Sequence, residues 1–339
     1  MKIAIIGGGL AGCALAYALK QAGESPVVYE AGPALASGAS GNSTGLYNPR
    51  FTAQRSPESD YYSSAFSLAL RTFKMFKDVE WNPCGALHLI NDEKKEKRFA
   101  QTVKNWCWDP DHLRLVDHDE ASDIAGVQIR QDALYLPQSG SVSPQKLCEA
   151  YMNDIDFHLN APVEDLGTID ADVKILACGP AVENFAPDLP VGKVRGQITE
   201  VSSTPASEKV KCTICYGGYF SPAMNGQHIV GSSFQRWLDH SDVIEQDNED
   251  NIQKLAGNVD GLAEGLKVIG QRASVRATSK DHFPIVGQLN DGLYISAAHG
   301  SHGILSSLMA AQLLSDMILA RPYCLPSDTI EALSPARFF

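Results

Sequence analysis

The sequence predicts an α/β protein into which a second, mostly antiparallel β-sheet domain is inserted, and three stretches support this prediction. Residues 2–30 have the order strand, glycine-rich turn, helix, strand. Residues 173–180 form a short apolar run that ends in small residues, which is typical of a strand returning to the same sheet. Between residues 193 and 231, strand-like runs flank Asn225-Gly226, a strong signal for a β-hairpin.

The glycine-rich turn after the first strand has the pattern GxGxxG. Its glycines permit a tight turn, a close approach of the backbone to a pyrophosphate, and close packing of the helix on the strand. The free N–H groups at the start of the helix add donors and a partial positive charge. Glu30 ends the second strand, where a carboxylate can accept hydrogen bonds from ribose hydroxyls. The pattern predicts a dinucleotide site at Gly7, Gly8, Gly9, Leu10, Ala11, Gly12 and Glu30.

The stretch ASGASGNSTGLYNP, residues 36–49, follows the second strand and contains only small residues for its first ten positions. A flexible linker here would end the nucleotide-binding sheet after two strands, before the sheet could be completed. A loop of small residues instead lets a large planar ligand lie against the backbone. This reasoning favours FAD over NAD, with Ser40, Gly41, Asn42, Gly45 and Leu46 as cofactor contacts.

The order of these segments predicts a discontinuous FAD-binding domain. We assign to it residues 1–80, 140–190 and 270–339, and to a substrate-binding domain residues 81–139 and 191–269. Helices are expected to begin at Ser56-Pro57 and Ser143-Pro144, because serine caps a helix and proline fits its first turn. Further helices are expected over residues 92–106, within 241–266, and after the GSHG sequence at 300–303.

Composition excludes some classes of function. The 339 residues have a net charge of −12, so the chain has no general attraction for nucleic-acid backbones, and RNA binding would need a local basic patch. The eight cysteines show no disulfide-framework spacing, and Cys212 and Cys215 are interpreted as buried thiols in a strand. No metal site is predicted. The apolar stretch at 304–320 contains polar residues and is expected to lie in a core, so we expect a cytoplasmic protein without a membrane span.

Several motifs together resemble the D-amino-acid oxidase/glycine oxidase superfamily of FAD enzymes. They are GGGLAG at 7–12, GASGN at 38–42, ILACG at 175–179, RGQ at 195–197, R-x4-D-x2-P-x2-G at 276–287 and GSHG at 300–303. Within that superfamily, four details look like the oxidase half of the bifunctional tRNA 5-methylaminomethyl-2-thiouridine modification proteins of MnmC type. These are ASGN followed by GLYNP, CYGGYFSP at 215–222, RATSKDHFPIVG at 276–287 and ALSPARFF at 332–339. The likeness covers nearly the whole chain in order.

The resemblance implies a Rossmann-like FAD-binding domain of glutathione-reductase type. It also implies oxidation of a C–N bond in a carboxymethyl-amine group, by hydride transfer to the flavin, on the wobble uridine of tRNA. The sequence given contains no methyltransferase half, so a separate methyltransferase is an expected partner. Two other functions stay open: oxidation of a free small amino acid such as glycine, sarcosine or a D-amino acid, and flavin binding without turnover.

Three residues are expected to act on the substrate or on the reduced flavin. Arg276 matches the arginine that binds the substrate carboxylate in glycine-oxidase-like enzymes, the alternative being a salt bridge to Asp281. Tyr219 lies on the hairpin expected to cover the flavin, with core packing as its alternative. His302 stands where the family has an arginine, at a helix start that would stabilise negative charge on the flavin. Further cofactor contacts are expected from Val163, Ala177, Cys178, Gly179, Gly300, Ser301, His302, Gly303 and Ile304.

Overall fold

The computed structural model describes residues 1–339, which form sixteen strands and eight helices. The strands are β1 (Ile3–Ile6), β2 (Pro26–Tyr29), β3 (Gly45–Tyr47), β4 (Ala86–Leu89), β5 (Arg114–Val116), β6 (Ala133–Leu136), β7 (Gly140–Val142), β8 (Asp156–His158), β9 (Val173–Leu176), β10 (Val191–Ser202), β11 (Thr213–Cys215), β12 (Tyr219–Phe220), β13 (Gln227–Gly231), β14 (Val268–Ser279), β15 (Ile285–Asn290) and β16 (Leu293–Ala297). The helices are α1 (Leu10–Gln21), α2 (Pro57–Phe73), α3 (Glu93–Trp106), α4 (His118–Ala125), α5 (Pro144–Tyr151), α6 (Glu245–Ala256), α7 (Gly303–Ile318) and α8 (Ser327–Leu333).

The first main sheet has six strands in the order β15-β16-β9-β1-β2-β8. Strands β16, β9, β1, β2 and β8 run parallel to one another, and β15 pairs antiparallel with β16 at one edge. The pairing of Ile3 with Val173 confirms that the strand at 173–176 returns to the sheet that the N-terminus begins. Because parallel strands end at the same edge, the glycine turn after β1 and the small residues after β9 lie side by side.

Helices α1, α2, α5 and α7 pack together and on this sheet around one hydrophobic core. Helix α2 begins as the sequence predicts: Ser56 accepts a hydrogen bond from the Ser59 N–H, and Pro57 occupies the first turn. Helix α7 is the most apolar of the four and lies in this core. No helix has the combination of length and apolar character that a membrane span requires.

The second main sheet has eight strands in the order β14-β10-β13-β12-β11-β4-β6-β5. All of its pairs are antiparallel except β4 with β11, which agrees with the prediction of a mostly antiparallel sheet. Strands β12 and β13 form the hairpin expected around Asn225-Gly226. Strand β14 pairs with β10 along nearly its full length, so the boundary predicted at residue 270 cuts through a strand of this sheet.

Strand β10 shows how the two faces of the eight-stranded sheet differ. Alternate side chains of a strand point to opposite faces. Arg195 and Gln197 point towards α6, where the fully buried Arg195 guanidinium lies 2.5 Å from the Asp247 carboxylate. Gly196 and Ile198 face the other way, towards the large cavity described below. The RGQ motif therefore places Arg195 and Gln197 on the α6 face of the sheet and Gly196 on the cavity face.

The observed helices differ from the predicted ones in one long segment, and the structure contains two short helices that were not predicted. Within residues 241–266 only α6, Glu245–Ala256, is helical. The chain after it contains Gly261 and Gly265 with positive φ angles, a conformation that ends helices. Helices α4 and α8 were not predicted, because each is short and has little apolar periodicity.

Candidate active site

One cavity of about 850 Å³ runs between the two main sheets. This volume is towards the upper end of the range of about 300–1,000 Å³ that is usual for small-molecule and cofactor sites. One end is lined by the glycine turn and Glu30, and the other by Arg276, Tyr219 and Phe234. The cavity therefore joins the predicted dinucleotide site to the predicted substrate residues.

The glycine turn closes the first end of the cavity, and neither Gly7 nor Gly12 can be replaced without a collision. Gly7 has a φ of +111°, and a Cβ there would lie 2.5 Å from the Ala177 carbonyl oxygen. A Cβ on Gly12 would overlap the Gly7 carbonyl, so α1 packs on β1 as closely as predicted. The N–H groups of Ala11 and Gly12, in the first turn of α1, donate to no protein acceptor. This helix end can therefore bind an anionic group.

Glu30 follows β2 and holds the turn in place. Its carboxylate accepts the Gly8 N–H at 2.6 Å and the Gly32 N–H at 2.7 Å, one on each oxygen. A carboxylate oxygen accepts more than one hydrogen bond, so each still has capacity for a ligand hydroxyl. Glu30 is thus placed to accept hydrogen bonds from ribose hydroxyls, and it also holds the Gly8 backbone in position.

The loop at residues 36–49 is fixed by contacts at both ends of its small-residue stretch. Ser40 Oγ accepts the Leu10 N–H at 3.0 Å, and Asn42 Oδ1 accepts a hydrogen bond from Arg272 at 3.1 Å. Arg272 also donates to the Ser37 carbonyl. Gly41 faces this guanidinium, since a Cβ there would lie 2.5 Å from Arg272 Nη2. Gly41 is small because of protein packing, and it does not line the cavity.

The start of α7 forms another wall of the cavity. The N–H groups of Gly303 and Ile304 donate to no protein acceptor, and no side chain caps this helix. The positive end of the α7 dipole therefore faces the cavity. Gly45 in β3 lies against this turn, since a Cβ there would come 2.7 Å from Ile304 Cδ1.

Two histidines flank the start of α7 and differ in their surroundings. His299 is held between the hydroxyls of Ser296 and Ser306, at 3.1 and 2.9 Å. The His302 ring packs edge-on against Tyr62 and has no hydrogen-bond partner in the protein. Burial lowers the pKa of His299 to about 4. Burial, together with the positive charges of Arg50 and Arg276, lowers the pKa of His302 to about 4 as well. Both side chains are neutral near pH 7.

Arg276, on β14, brings a positive charge to the opposite end of the cavity. It donates to Ser301 Oγ at 2.9 Å and to Ser232 Oγ at 3.1 Å, and no carboxylate lies within ion-pair distance. Asp281, the alternative partner considered from sequence, is bound instead by Arg337 at 2.8 Å. Burial lowers the pKa of Arg276, yet the group stays charged. Arg276 can therefore bind an anionic ligand group.

Tyr219 belongs to a row of residues that faces the cavity across four neighbouring strands. His88, Cys215, Tyr219 and Gly231 lie side by side on β4, β11, β12 and β13. The Tyr219 hydroxyl lies 3.5 Å from the Thr44 carbonyl oxygen, and burial raises the pKa of Tyr219. The hydroxyl is thus a neutral hydrogen-bonding group on the cavity wall.

His88 lines the cavity but was not selected from the sequence, whereas its neighbour Asn48 lies within residues 45–49, which the sequence predicts to run beside the flavin. Asn48 Nδ2 lies 3.5 Å from His88 Nε2, and burial lowers the pKa of His88 to about 4. The alternation of β4 could have revealed His88, because it faces away from the buried Leu87 and Leu89.

The structure brings most of the predicted site residues together around this one cavity. Those that line it are Gly7, Gly9, Leu10, Ala11, Glu30, Ser40, Asn42, Gly45, Leu46, Val163, Ala177, Cys178, Gly179, Tyr219, Arg276, Gly300, Ser301, His302, Gly303 and Ile304. Gly8, Gly12 and Gly41 do not line it and contact neighbouring protein atoms instead. No group of three or more His, Cys, Asp or Glu side chains is arranged to hold a metal ion.

Comparison with solved structures supports the fold. Glycine oxidase from Geobacillus kaustophilus superposes with a TM-score of 0.85 at 20% identity, over 99% of this chain and 98% of that one. Iminodiacetate oxidase from Chelativorans sp. BNC1 superposes with a TM-score of 0.82 at 19% identity, over 98% and 99% of the two chains. The mixed α/β fold predicted from the sequence is therefore found in solved enzymes.

Comparison of sequences identifies relatives over the whole chain. The bifunctional tRNA 5-methylaminomethyl-2-thiouridine biosynthesis protein MnmC of Idiomarina loihiensis is 30% identical over 99% of this chain. That of Chromobacterium violaceum is 28% identical over 98%. The chain spans only 58% and 59% of the length of these two relatives.

The model of the DAO family, described as FAD-dependent oxidoreductases, matches residues 2–317. The match includes the glycine turn, Glu30, Arg276 and the start of α7. The glycine turn, the unpaired N–H groups and the long cavity also fit a dinucleotide of the size of FAD. The chain belongs to the DAO family of FAD-dependent oxidoreductases, and FAD is its cofactor.

Proposed function

We propose that the protein oxidises the C–N bond of a carboxymethyl-amine group carried on the wobble uridine of tRNA. The unpaired Arg276 guanidinium at the end of the FAD-sized cavity is the observation on which this proposal depends. The curated relatives named for tRNA 5-methylaminomethyl-2-thiouridine biosynthesis support the choice of substrate. A methyltransferase, which would act on the amine that remains, is the proposed partner.

We propose that FAD binds along the cavity in the manner of the glutathione-reductase-type Rossmann fold. The free N–H groups of Ala11 and Gly12 would face the pyrophosphate, and Glu30 the ribose of the adenosine. Val163 and Cys178 would lie near the adenosine. The flavin would then lie between the start of α7 and the residues of the eight-stranded sheet that line the cavity.

When bound, the flavin supplies the acceptor for a hydride from the carbon beside the amine nitrogen. The protein's part is to hold the substrate and to stabilise charge. Arg276 would bind the substrate carboxylate with two parallel hydrogen bonds. The N–H groups of Gly303 and Ile304, with the dipole of α7, would stabilise the negative charge that reduction adds.

The charge distribution also favours a neutral amine, the form that can lose a hydride. Arg276 contributes a positive charge at this end of the cavity, and a second cation nearby is unfavourable. The only carboxylates on the cavity wall, Glu30 and Glu164, lie at the other end. The neutral His88 and His302 add no charge. Water would then hydrolyse the imine, which releases the two-carbon fragment and leaves the shortened amine.

Anaerobic flavin reduction tests the proposal directly. The purified protein is mixed with tRNA bearing 5-carboxymethylaminomethyluridine, and loss of the yellow flavin absorbance is followed over time. Unmodified tRNA is the control. Rapid bleaching by the modified tRNA alone supports the proposal, and the absence of any bleaching by it contradicts the proposal.

A second candidate function is the oxidation of a free small amino acid. The likeness to glycine oxidase along the full chain favours it, since Arg276 would bind a free carboxylate equally well. The same assay with glycine, sarcosine and D-alanine separates the two functions by their relative rates. If no substrate bleaches the bound flavin, the protein binds flavin without turnover.

A further inference from the structure

One segment that borders the cavity at Phe234 carries two exposed aromatic side chains. Residues 232–244 connect β13 to α6 and contain no regular element. Phe234, which lines the cavity, is 46% exposed, and Trp237 is 76% exposed. Large exposed aromatic side chains at a cavity mouth are typical of binding surfaces.

Cations accompany these aromatic side chains. The guanidinium of Arg236 lies 5.5 Å from the centre of the Phe234 ring, and that of Arg276 lies 6.0 Å from the same centre. Neither arginine forms an ion pair with a carboxylate, although the chain has a net charge of −12. Arg236 Nη2 also lies 3.4 Å from His282 Nε2. Phe234 thus lies beside two arginines that have no carboxylate partner, while Asp239 and Asp242 follow later in the same segment.

We propose that Phe234, Arg236 and Trp237 form a platform that binds an unpaired base and its phosphate next to the modified nucleotide of an RNA. Proteins read single-stranded RNA by stacking its bases on aromatic and arginine side chains. Arg236 and Arg276, beside Phe234, offer positive charge to a phosphate locally, which the overall charge of the protein does not. The inference rests on the proposed function, because it assumes that the oxidised amine is carried on RNA.

The position of the platform explains how a large RNA could present one modified side chain to a narrow cavity. Phe234 lies two residues after Ser232, and the Ser232 hydroxyl accepts a hydrogen bond from Arg276. A base stacked on Phe234 would therefore lie next to the carboxylate site, and only the modified side chain would need to enter the cavity. The neighbouring nucleotides would stay on the rim.

Binding of a synthetic anticodon stem–loop RNA, with 5-carboxymethylaminomethyluridine at the wobble position, tests the platform. Each aromatic residue offers a face on which a base stacks, so Trp237→Leu and Phe234→Leu are each expected to raise the Kd roughly tenfold. Trp237→Phe should restore most of the affinity, because it keeps an aromatic face. Arg236→Gln should weaken binding and reduce its salt dependence.

Two measurements separate the platform from the active site and from general effects on the surface. Binding of glycolate, followed by the flavin spectrum, should be unchanged in the Trp237 and Arg236 variants. Tyr323→Leu is the matched control, since Tyr323 is 54% exposed but follows the far end of α7. A helix of 16 residues is about 24 Å long, so this side chain is remote from the rim. The control should bind RNA as the unchanged protein does.

The outcomes distinguish this inference from the proposed function. RNA binding that is undetectable in the unchanged protein, or equal in the Trp237→Leu, Phe234→Leu and unchanged proteins, overturns the platform. Variants that lose RNA affinity support it, even if the RNA fails to bleach the flavin and the proposed function is wrong. Variants that change the oligomeric state and leave RNA binding intact assign the patch to a protein interface, which also overturns the inference.

Discussion

Replacing Gly196 by alanine tests whether Arg276 binds the substrate carboxylate, without removing the arginine. Gly196 lies on β10 beside β14, and its missing side chain leaves the space in which the Arg276 guanidinium lies. A Cβ at Gly196 would lie 2.7 Å from Arg276 Cζ and closer still to Nη2. Ordinary contacts of a Cβ begin near 3.4 Å, so the guanidinium must move by at least the difference, about 0.7 Å.

The cost of this movement follows from the hydrogen bonds that it breaks. A hydrogen bond to a charged group contributes about 1.5–3 kcal/mol, and a factor of ten in binding corresponds to about 1.4 kcal/mol. Loss of one of the two bonds to a carboxylate should therefore lower kcat/KM by roughly 10- to 100-fold. The fold should persist, because the severe collision involves the end of a flexible side chain, and the Ser233 carbonyl oxygen, 3.0 Å from the added Cβ, needs to shift by only a few tenths of an ångström.

Stopped-flow flavin reduction over a range of substrate concentrations measures this effect, with FAD content and thermal unfolding as checks on folding. Gly192→Ala is the matched control on the same strand, where a Cβ would lie 3.4 Å from Thr278 Oγ1, an ordinary contact. An alanine at Gly196 that left kcat/KM and carboxylate binding unchanged would refute the role of Arg276.

Three further predictions concern the loop, the buried ion pair and acid stability. Gly41→Ala should weaken FAD binding by about 1–3 kcal/mol, because its Cβ would lie 2.5 Å from the Ala36 carbonyl oxygen and the loop must shift to relieve this contact; the ratio of flavin to protein absorbance measures this, and an FAD content equal to that of the unchanged protein would contradict it. Asp247→Ala should lower the free energy of unfolding in urea by about 3–5 kcal/mol, since it leaves the buried Arg195 charge without a carboxylate partner; a loss below ~1 kcal/mol would contradict this. Burial opposes ionisation of Asp281, but hydrogen bonds from Arg337, the Phe283 N–H and Ser279 lower its pKa to about 2. The carboxylate therefore contributes stability that is present above pH ~4 and lost as the pH falls towards 2, about 1 kcal/mol after allowance for solvent screening; Asp281→Asn should be less sensitive to acid over that range, and an unchanged pH profile would argue against the ion pair.

The sequence by itself determined the features that depend on local spacing. The glycine turn, the cap of α2, the hairpin at Asn225-Gly226 and the returning strand at 173–176 each follow from a few adjacent residues. Such patterns are readable because backbone geometry and hydrogen bonding within a short segment fix them. Arg276 was selected by a family motif, and the structure leaves it without a carboxylate partner on the cavity wall.

Only the tertiary structure decided which residues, far apart in the sequence, meet around the cavity. Gly41 is small because Arg272, more than two hundred residues later, packs on it, and Gly196 is small because Arg276 does. His88 reaches the cavity because β4 pairs with β11, and β14 joins the second sheet because β10 offers it a long partner. These arrangements depend on packing between distant segments, and no local propensity encodes which segments meet.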